Sequence, residues 1–172
     1  IDIEALVRVT SLHNRYSAID NTFATPYLQQ PLLLGVDFVI HSTTKFINGH
    51  GNSIAGVVIG KDAELFKQTI WNTMKLTGAN CSPFEAWLVY QGMKTLPLRM
   101  DKHSSNALLI STTLSNHPNV SRVNYPGLES HPDHLVAKKQ MRAFGGMMSF
   151  ELNGGIDTAI KAMNKLRFCS LA

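Results

Sequence analysis

The stretch VDFVIHSTTKFINGHGN, residues 36–52, joins an apolar run to three consecutive hydroxyl side chains, a lysine and a turn-rich tail. Val36, Phe38, Val39 and Ile40 have the length and side-chain types of a buried strand. Ser42, Thr43, Thr44 and Lys45 follow directly at its carboxyl end. A lysine so placed is either a solvated loop charge or the point at which a cofactor is bonded to the chain, and the surrounding sequence has to decide.

Upstream, Ser17-Ala18-Ile19 reads as a short buried strand that ends at Asp20, and DNTFATPYLQQP is a loop rich in turn formers. About 15 residues separate the two strands, enough for a parallel crossover, which needs a dozen or more. Downstream, SIAGVVIG gives a third apolar run. Short apolar runs between helical segments indicate an α/β sheet, whose ligands sit beyond the carboxyl ends of parallel strands. Asp20 and the segment Ser42 to Lys45 both fall at such ends.

The remaining segments complete the pattern. IDIEALVRVTSLHNR reads as a helix with Asp2 as N-cap and Ile3, Leu6, Val7 and Thr10 on one face. Residues 62–75 give an amphipathic helix. A long helical pattern runs from Pro83 to His117, with Pro97 placed to kink or divide it. Beyond it come NVSRVNY as strand, residues 132–144 as helix, MMSFEL as strand, IDTAIKAMNKL as helix and RFCSLA as strand, which make a second, smaller α+β unit.

Bulk properties narrow the function classes. The chain has 172 residues and a net charge of +4, but its basic residues are spread along the length and the longest run is Lys138-Lys139. Nucleic-acid binding needs a concentrated basic patch, which this spread does not offer. No apolar run approaches the roughly 20 residues of a membrane span. Two distant cysteines, Cys81 and Cys169, and no signal-like segment lead to the expectation of a reduced, cytoplasmic protein.

A lysine amine forms Schiff bases with aldehydes such as pyridoxal phosphate. That cofactor requires a lysine for its aldehyde, hydrogen-bond donors for its phosphate and a carboxylate for its ring nitrogen, which keeps the ring an electron sink. Lys45, the hydroxyls of Ser42 and Thr44, and Asp20 supply all three from neighbouring strand ends. Each also has a plain reading: Asp20 as a turn former, Ser42 to Thr44 as a turn cap, and S-x-T-K as a short motif that recurs by chance. Glu129, His131 and His134 are of metal-ligand type, but Pro132 breaks any helix that would align them, and no metal is expected. His50 and His103 read as structural histidines, Cys81 as a small buried side chain, and Met147 and Met148 as core.

The wider segments are more specific. DNTFATPYLQQPLLLGVDFVIHSTTKFINGHGNSIAG, GANCSPFEAWL, QGMKTLPLRMDKH, YPGLESHPDH and FGGMMSFEL, in this order, resemble the Cys/Met metabolism enzymes, the cystathionine γ-synthase/γ-lyase and methionine γ-lyase group. The resemblance spans essentially the whole chain. It implies an α/β, aspartate-aminotransferase-like architecture of the pyridoxal-phosphate transferase fold type I, with the strand after the lysine, Ser53 to Gly60, antiparallel to the others. It implies pyridoxal 5'-phosphate as cofactor, with Lys45 as its covalent attachment point and catalytic base, Asp20 on the ring nitrogen, and Ser42 and Thr44 on the phosphate.

Members of this family are about twice as long, so the resemblance also implies a partial chain. Residues 1–97 then correspond to the C-terminal half of the large cofactor-binding domain and 98–172 to the first part of the smaller C-terminal domain. The ring-stacking aromatic and the arginine that clamps the substrate carboxylate have no counterpart here. The implied partners are a small-molecule amino-acid substrate and further copies of the chain, a homotetramer built as a dimer of dimers. The implied chemistry is γ- or β-elimination or replacement on cystathionine, related sulfur amino acids or activated homoserine esters. KFINGH is similar to the cystathionine enzymes and GHGNSIAG to O-acetylhomoserine sulfhydrylases. Lys75 matches the Lys-Asp pair common in methionine γ-lyases, but Leu76 departs from it. A reading of another class, a non-catalytic fragment or assembly partner completed by a second chain, stays open beside these.

Overall fold

A computed structural model of the chain describes residues 1–170. The first helix, α1 (Ile3–Leu12), starts where Asp2 accepts a hydrogen bond from the backbone N–H of Ala5 at 3.0 Å, the side-chain cap that an aspartate at this position supplies. Strand β1 (Ala18–Asp20) follows and pairs in parallel with β2 (Phe38–Ser42). Between them lie a short helix, α2 (Thr25–Leu28), and a 3-10 turn, Pro31–Leu34, so the chain crosses over with almost no surplus length. Strand β3 (Gly56–Gly60) returns antiparallel to β2, as expected for the run after the lysine. The sheet order is β1-β2-β3.

Strand alternation then divides the residues between two faces. Ile19 and Val39 pair across β1 and β2 and belong to a cluster with Ile3, Val7, Val36, Leu32 and Leu34, which covers one face. Asp20, Ile40 and Val58 pair across the other face, where Ile40 remains 39% exposed. Burial on one side and openness on the other leaves Asp20 accessible.

The amphipathic segment after β3 is not one regular helix. α3 (Ala63–Phe66) and α4 (Asn72–Thr77) are joined by five residues in the wider π conformation, Lys67–Trp71. Helices α5 (Pro83–Met93) and α6 (Leu96–Ser115) replace the single long helical pattern. The break falls at Lys94-Thr95, and Pro97 occupies the first turn of α6, where its missing N–H leaves no hydrogen bond unmade.

The second unit is a two-stranded antiparallel sheet, β4 (Val120–Asn124) with β5 (Ser149–Leu152), plus α7 (His134–Gln140) and α8 (Gly155–Asn164). Tyr125, fully buried, donates its hydroxyl to the Gly145 carbonyl at 2.9 Å and so ties the end of β4 to the approach to β5. The RFCSLA segment differs from expectation. Arg167 to Ser170 form no strand, and Leu171 and Ala172 lie outside the described residues. An apolar run makes a strand only when it pairs with a neighbouring edge, and Arg167 to Ser170 pair with none of the described strands. Met147, expected in the core, is 47% exposed.

Helix α6 connects the two units. Its first turns bury Leu96 and Met100 against Leu28 of α2, while its later turns pack on β4. Met100 is fully buried, so Met100→Ala removes side-chain volume that nothing nearby can refill. We expect a loss of about 2–5 kcal/mol in chemical denaturation. A loss below about 1 kcal/mol would mean that this junction is not packed as described.

Candidate active site

The expected site residues converge at the carboxyl ends of β1 and β2. Asp20 is the last residue of β1, and its Oδ1 accepts the Thr22 N–H at 2.9 Å. The plain reading of Asp20 as a turn former is therefore correct as geometry. The Thr22 hydroxyl and then the Thr22 backbone N–H hold the Asp20 carboxyl below the usual carboxylate range, so it is ionised at neutral pH. The same Thr22 hydroxyl accepts the backbone N–H of Ser42 at 2.8 Å. One buried threonine thus bridges the two strand ends and fixes Asp20 against Ser42.

Ser42 gives its N–H to this bridge, and its hydroxyl has no partner among the described residues. Thr44 is differently placed. Its Oγ1 accepts the Ala55 N–H at 3.0 Å and donates to the Ala55 carbonyl at 3.2 Å, while its own N–H also donates to that carbonyl at 3.2 Å. The hydroxyl hydrogen is free to swing to another acceptor, because the Ala55 carbonyl keeps the Thr44 N–H. Thr43 Oγ1, buried between the two, has no protein partner.

Lys45 projects from the turn that follows. It is exposed and takes part in none of the ion pairs among the described residues. The turn itself is closed by Lys45 N–H to Ser42 C=O at 3.3 Å, Asn48 N–H to Thr43 C=O at 2.9 Å and Gly49 N–H to Lys45 C=O at 2.8 Å. Gly49 has φ +70°, a left-handed conformation that costs glycine little. An unpaired amine, a free hydroxyl, a second hydroxyl with a transferable hydrogen and an ionised carboxylate form the donor set that pyridoxal phosphate requires.

His41 sits between Ile40 and Ser42 but on the opposite face, 2% exposed. Its Nδ1 is buried without a partner among the described residues, and the ring lies against the Asn21 backbone. Burial pushes its pKa down, opposed by the nearby Asp20 charge and the Asn21 backbone. Thr22, His41 and Arg99, which clasps the Lys45 turn, escaped sequence reasoning. Only the two-residue spacing from Asp20 to Thr22, the spacing of an Asx turn, carried a signal for any of them.

Other candidates lie elsewhere. His131 Nδ1 accepts the Asp133 N–H at 3.1 Å and His134 Nδ1 lies 2.9 Å from the Pro126 carbonyl, so both rings are engaged locally. His50 Nδ1 lies 2.6 Å from the Asn48 carbonyl, and the His103 ring packs edge-on against Phe46. Cys81, expected to be buried, is exposed. It lines an open cleft of about 670 Å³ with Ile40, Val58, Ile70 and Met74, on the same sheet face as Asp20. No described helix is long and apolar enough to cross a membrane.

Comparison with known proteins points to the same cofactor class. A family model described as Cys/Met metabolism PLP-dependent enzyme matches residues 1–172. The chain is 49% identical over 174 residues to the L-methionine gamma-lyase of Fusobacterium nucleatum subsp. polymorphum, covering 100% of this chain and 44% of the relative. It is 49% identical over 152 residues to the cystathionine beta-lyase of Lactococcus lactis subsp. cremoris, covering 88% of this chain and 40% of the relative. The crystal structure of cystathionine gamma synthase from Xanthomonas oryzae pv. oryzae in complex with aminoacrylate and cysteine superposes with a TM-score of 0.95 at 42% identity. That match covers 99% of this chain and 44% of the other. The chain therefore spans less than half the length of these relatives, and the expected fold-type-I architecture is borne out.

The buried histidine generates a prediction. A histidine whose folded pKa is lowered binds its proton more readily when unfolded, so stability is complete above the ordinary histidine range and is lost as pH falls through it. The Asp20 contribution is also lost on acidification, but only below the ordinary carboxylate range of about 4. Urea midpoints measured between about pH 7.5 and 5 are expected to fall for the parent chain and to change less for His41→Gln. Equal slopes for the two proteins would remove His41 as the cause.

Proposed function

We propose, from the premise that the chain belongs to the Cys/Met metabolism family of pyridoxal-phosphate-dependent enzymes, that Lys45, Asp20, Ser42 and Thr44 form its cofactor site. The reaction we assign is elimination or replacement at the γ or β carbon of a sulfur amino acid or an activated homoserine ester. The observation that carries this reading is the Thr22 bridge, which sets an ionised Asp20 beside Ser42 and one turn away from an unpaired Lys45. When bound, pyridoxal phosphate supplies an aldehyde for a primary amine and a protonated ring that withdraws electrons from the substrate's Cα.

Each residue has a distinct task. Asp20 holds a proton at the ring nitrogen, and its depressed pKa keeps it anionic for that purpose. Ser42 Oγ donates to the phosphate, and Thr44 turns its hydroxyl hydrogen from the Ala55 carbonyl to the same group while still accepting the Ala55 N–H. The Lys45 amine would hold the cofactor through its aldehyde and, when free, would take the proton from Cα and return it at a neighbouring carbon. Its position on a hydrogen-bonded turn restricts where that amine reaches.

For the substrate we favour cystathionine γ-synthase or γ-lyase chemistry, supported by KFINGH and by likeness to a cystathionine gamma synthase structure. Methionine γ-elimination is the second reading, supported by the 49% identity to an L-methionine gamma-lyase and by Lys75. The division at residues 97 and 98 and association of copies belong to the same proposal. The apolar side chains Phe84, Trp87 and Tyr90, each more than half exposed on α5, are of the kind that interfaces bury.

Incubating the full chain, with any sequence that flanks these residues, with cofactor and reducing it with borohydride is expected to label Lys45. Lys45→Ala should lose the label, and an adduct on Lys61 or Lys75 instead would sink the assignment. Asp20→Asn should keep the label yet slow turnover by about a hundredfold or more, since an amide cannot hold the ring proton by charge. Near-normal kcat in that variant would leave Asp20 as a turn residue only. Release of α-keto acid from cystathionine compared with methionine separates the two substrate readings.

A further inference from the structure

The segment QGMKTLPLRMDKH has no part in the site described so far, yet it holds the turn that bears Lys45. Arg99, half-buried on α6, sends Nη1–H to the Phe46 carbonyl at 2.6 Å and Nη2–H to the Ile47 carbonyl at 3.1 Å. Nη2 also donates to the Gly92 carbonyl at 2.9 Å, and Nε donates to Thr95 Oγ1 at 3.0 Å. One guanidinium thus joins the two residues after Lys45 to the corner between α5 and α6. Gly49 makes room for the guanidinium and Gly92 for the turn itself. A Cβ on Gly49 would overlap the Arg99 guanidinium, and a Cβ on Gly92 would overlap the Asn48 carbonyl.

The carbonyls of the turn are then nearly all accounted for. Those of Ser42, Thr43 and Lys45 are taken within the turn, those of Phe46 and Ile47 by Arg99, and that of Asn48 by His50. A lysine carrying a reactive amine has several soft dihedrals of its own, so the backbone beneath it must be fixed if the amine is to meet one reacting atom. From this geometry we infer that Arg99 is a positioning residue for Lys45, acting through the Phe46 and Ile47 carbonyls and the Gly92 contact. The inference rests on the role proposed above for Lys45.

A lysine at this position cannot reproduce the fork, because an ammonium presents its donors from a single point. The test uses the full chain, with any flanking sequence, and reads the rate at which borohydride-fixable pyridoxal label appears on Lys45, together with circular dichroism. Label on Lys45 in the parent protein tests the cofactor-site reading first, independently of Arg99. Arg99→Met is then expected to keep its fold and to label Lys45 about tenfold more slowly, as for one lost charge-assisted hydrogen bond. Tens of millimolar methylguanidinium should restore part of the rate, which a purely structural role would not allow. Arg99→Lys should remain slow. Gly92→Ala attacks the same contact from the other side and is expected to slow labelling with Arg99 intact. A parent-like labelling rate in folded Arg99→Met would overturn the inference. So would failure of both Arg99→Met and Gly92→Ala to fold, which would assign the contact to stability alone.

Discussion

A chain that reverses direction tightly against other protein withdraws its carbonyls from water and must find donors for them. The turn after β2 meets that constraint partly within itself and partly through a guanidinium lent by α6. Much else follows from it. α6 must lie close enough for Arg99 to reach, α5 must carry a glycine in its last turn at the contact, and the turn must carry a left-handed Gly49. The two units of the chain are therefore joined by a polar clasp around the proposed attachment lysine as well as by the apolar packing of Met100.

How much of this the sequence disclosed depends on the range of the interaction. Strand ends and the parallel crossover follow from local apolar runs and their spacing, the antiparallel return of β3 was implied by the family resemblance, and the structure has them where expected. Asp20, Ser42 and Lys45 were legible because strand ends in an α/β sheet are where ligands sit, and the family resemblance added their roles. Arg99 was not, because its partners are backbone carbonyls about fifty residues away and a carbonyl has no sequence signature. His41 was hidden for a related reason. Its burial depends on which face of β2 the crossover covers, and one residue of register would reverse it. Cys81 and the RFCSLA run were misjudged by the opposite error, of treating apolar character as burial without asking what stands opposite.

The two hydrophobic clusters are small beside the apolar surface left open. Ile40, Val57 and Ile59 on the sheet and Phe84, Trp87 and Tyr90 on α5 all remain exposed. Such surface is more than scattered surface residues explain. The polar framework is by contrast largely satisfied within the described residues, with His41 Nδ1, Thr43 Oγ1 and Asn48 Oδ1 as the buried exceptions. The proposed site residues thus lie beside one another at the strand ends, while much of the apolar surface of the chain stays open.

The five-residue π segment between α3 and α4 has a consequence for the cleft above Asp20. A helix that takes an extra residue in one turn winds back the azimuth of everything after it by about 100°. Phe66 precedes this offset and Met74 follows it, yet both line the same cleft. These two, with Ile70, Thr73 and Thr77, keep the i, i+4, i+7, i+8 and i+11 spacing of a single helical face, so the wider turn is accommodated without taking that stripe off the cleft. The helical wall that lines the cleft with Ile40 and Cys81 is therefore one continuous stripe across the irregular segment.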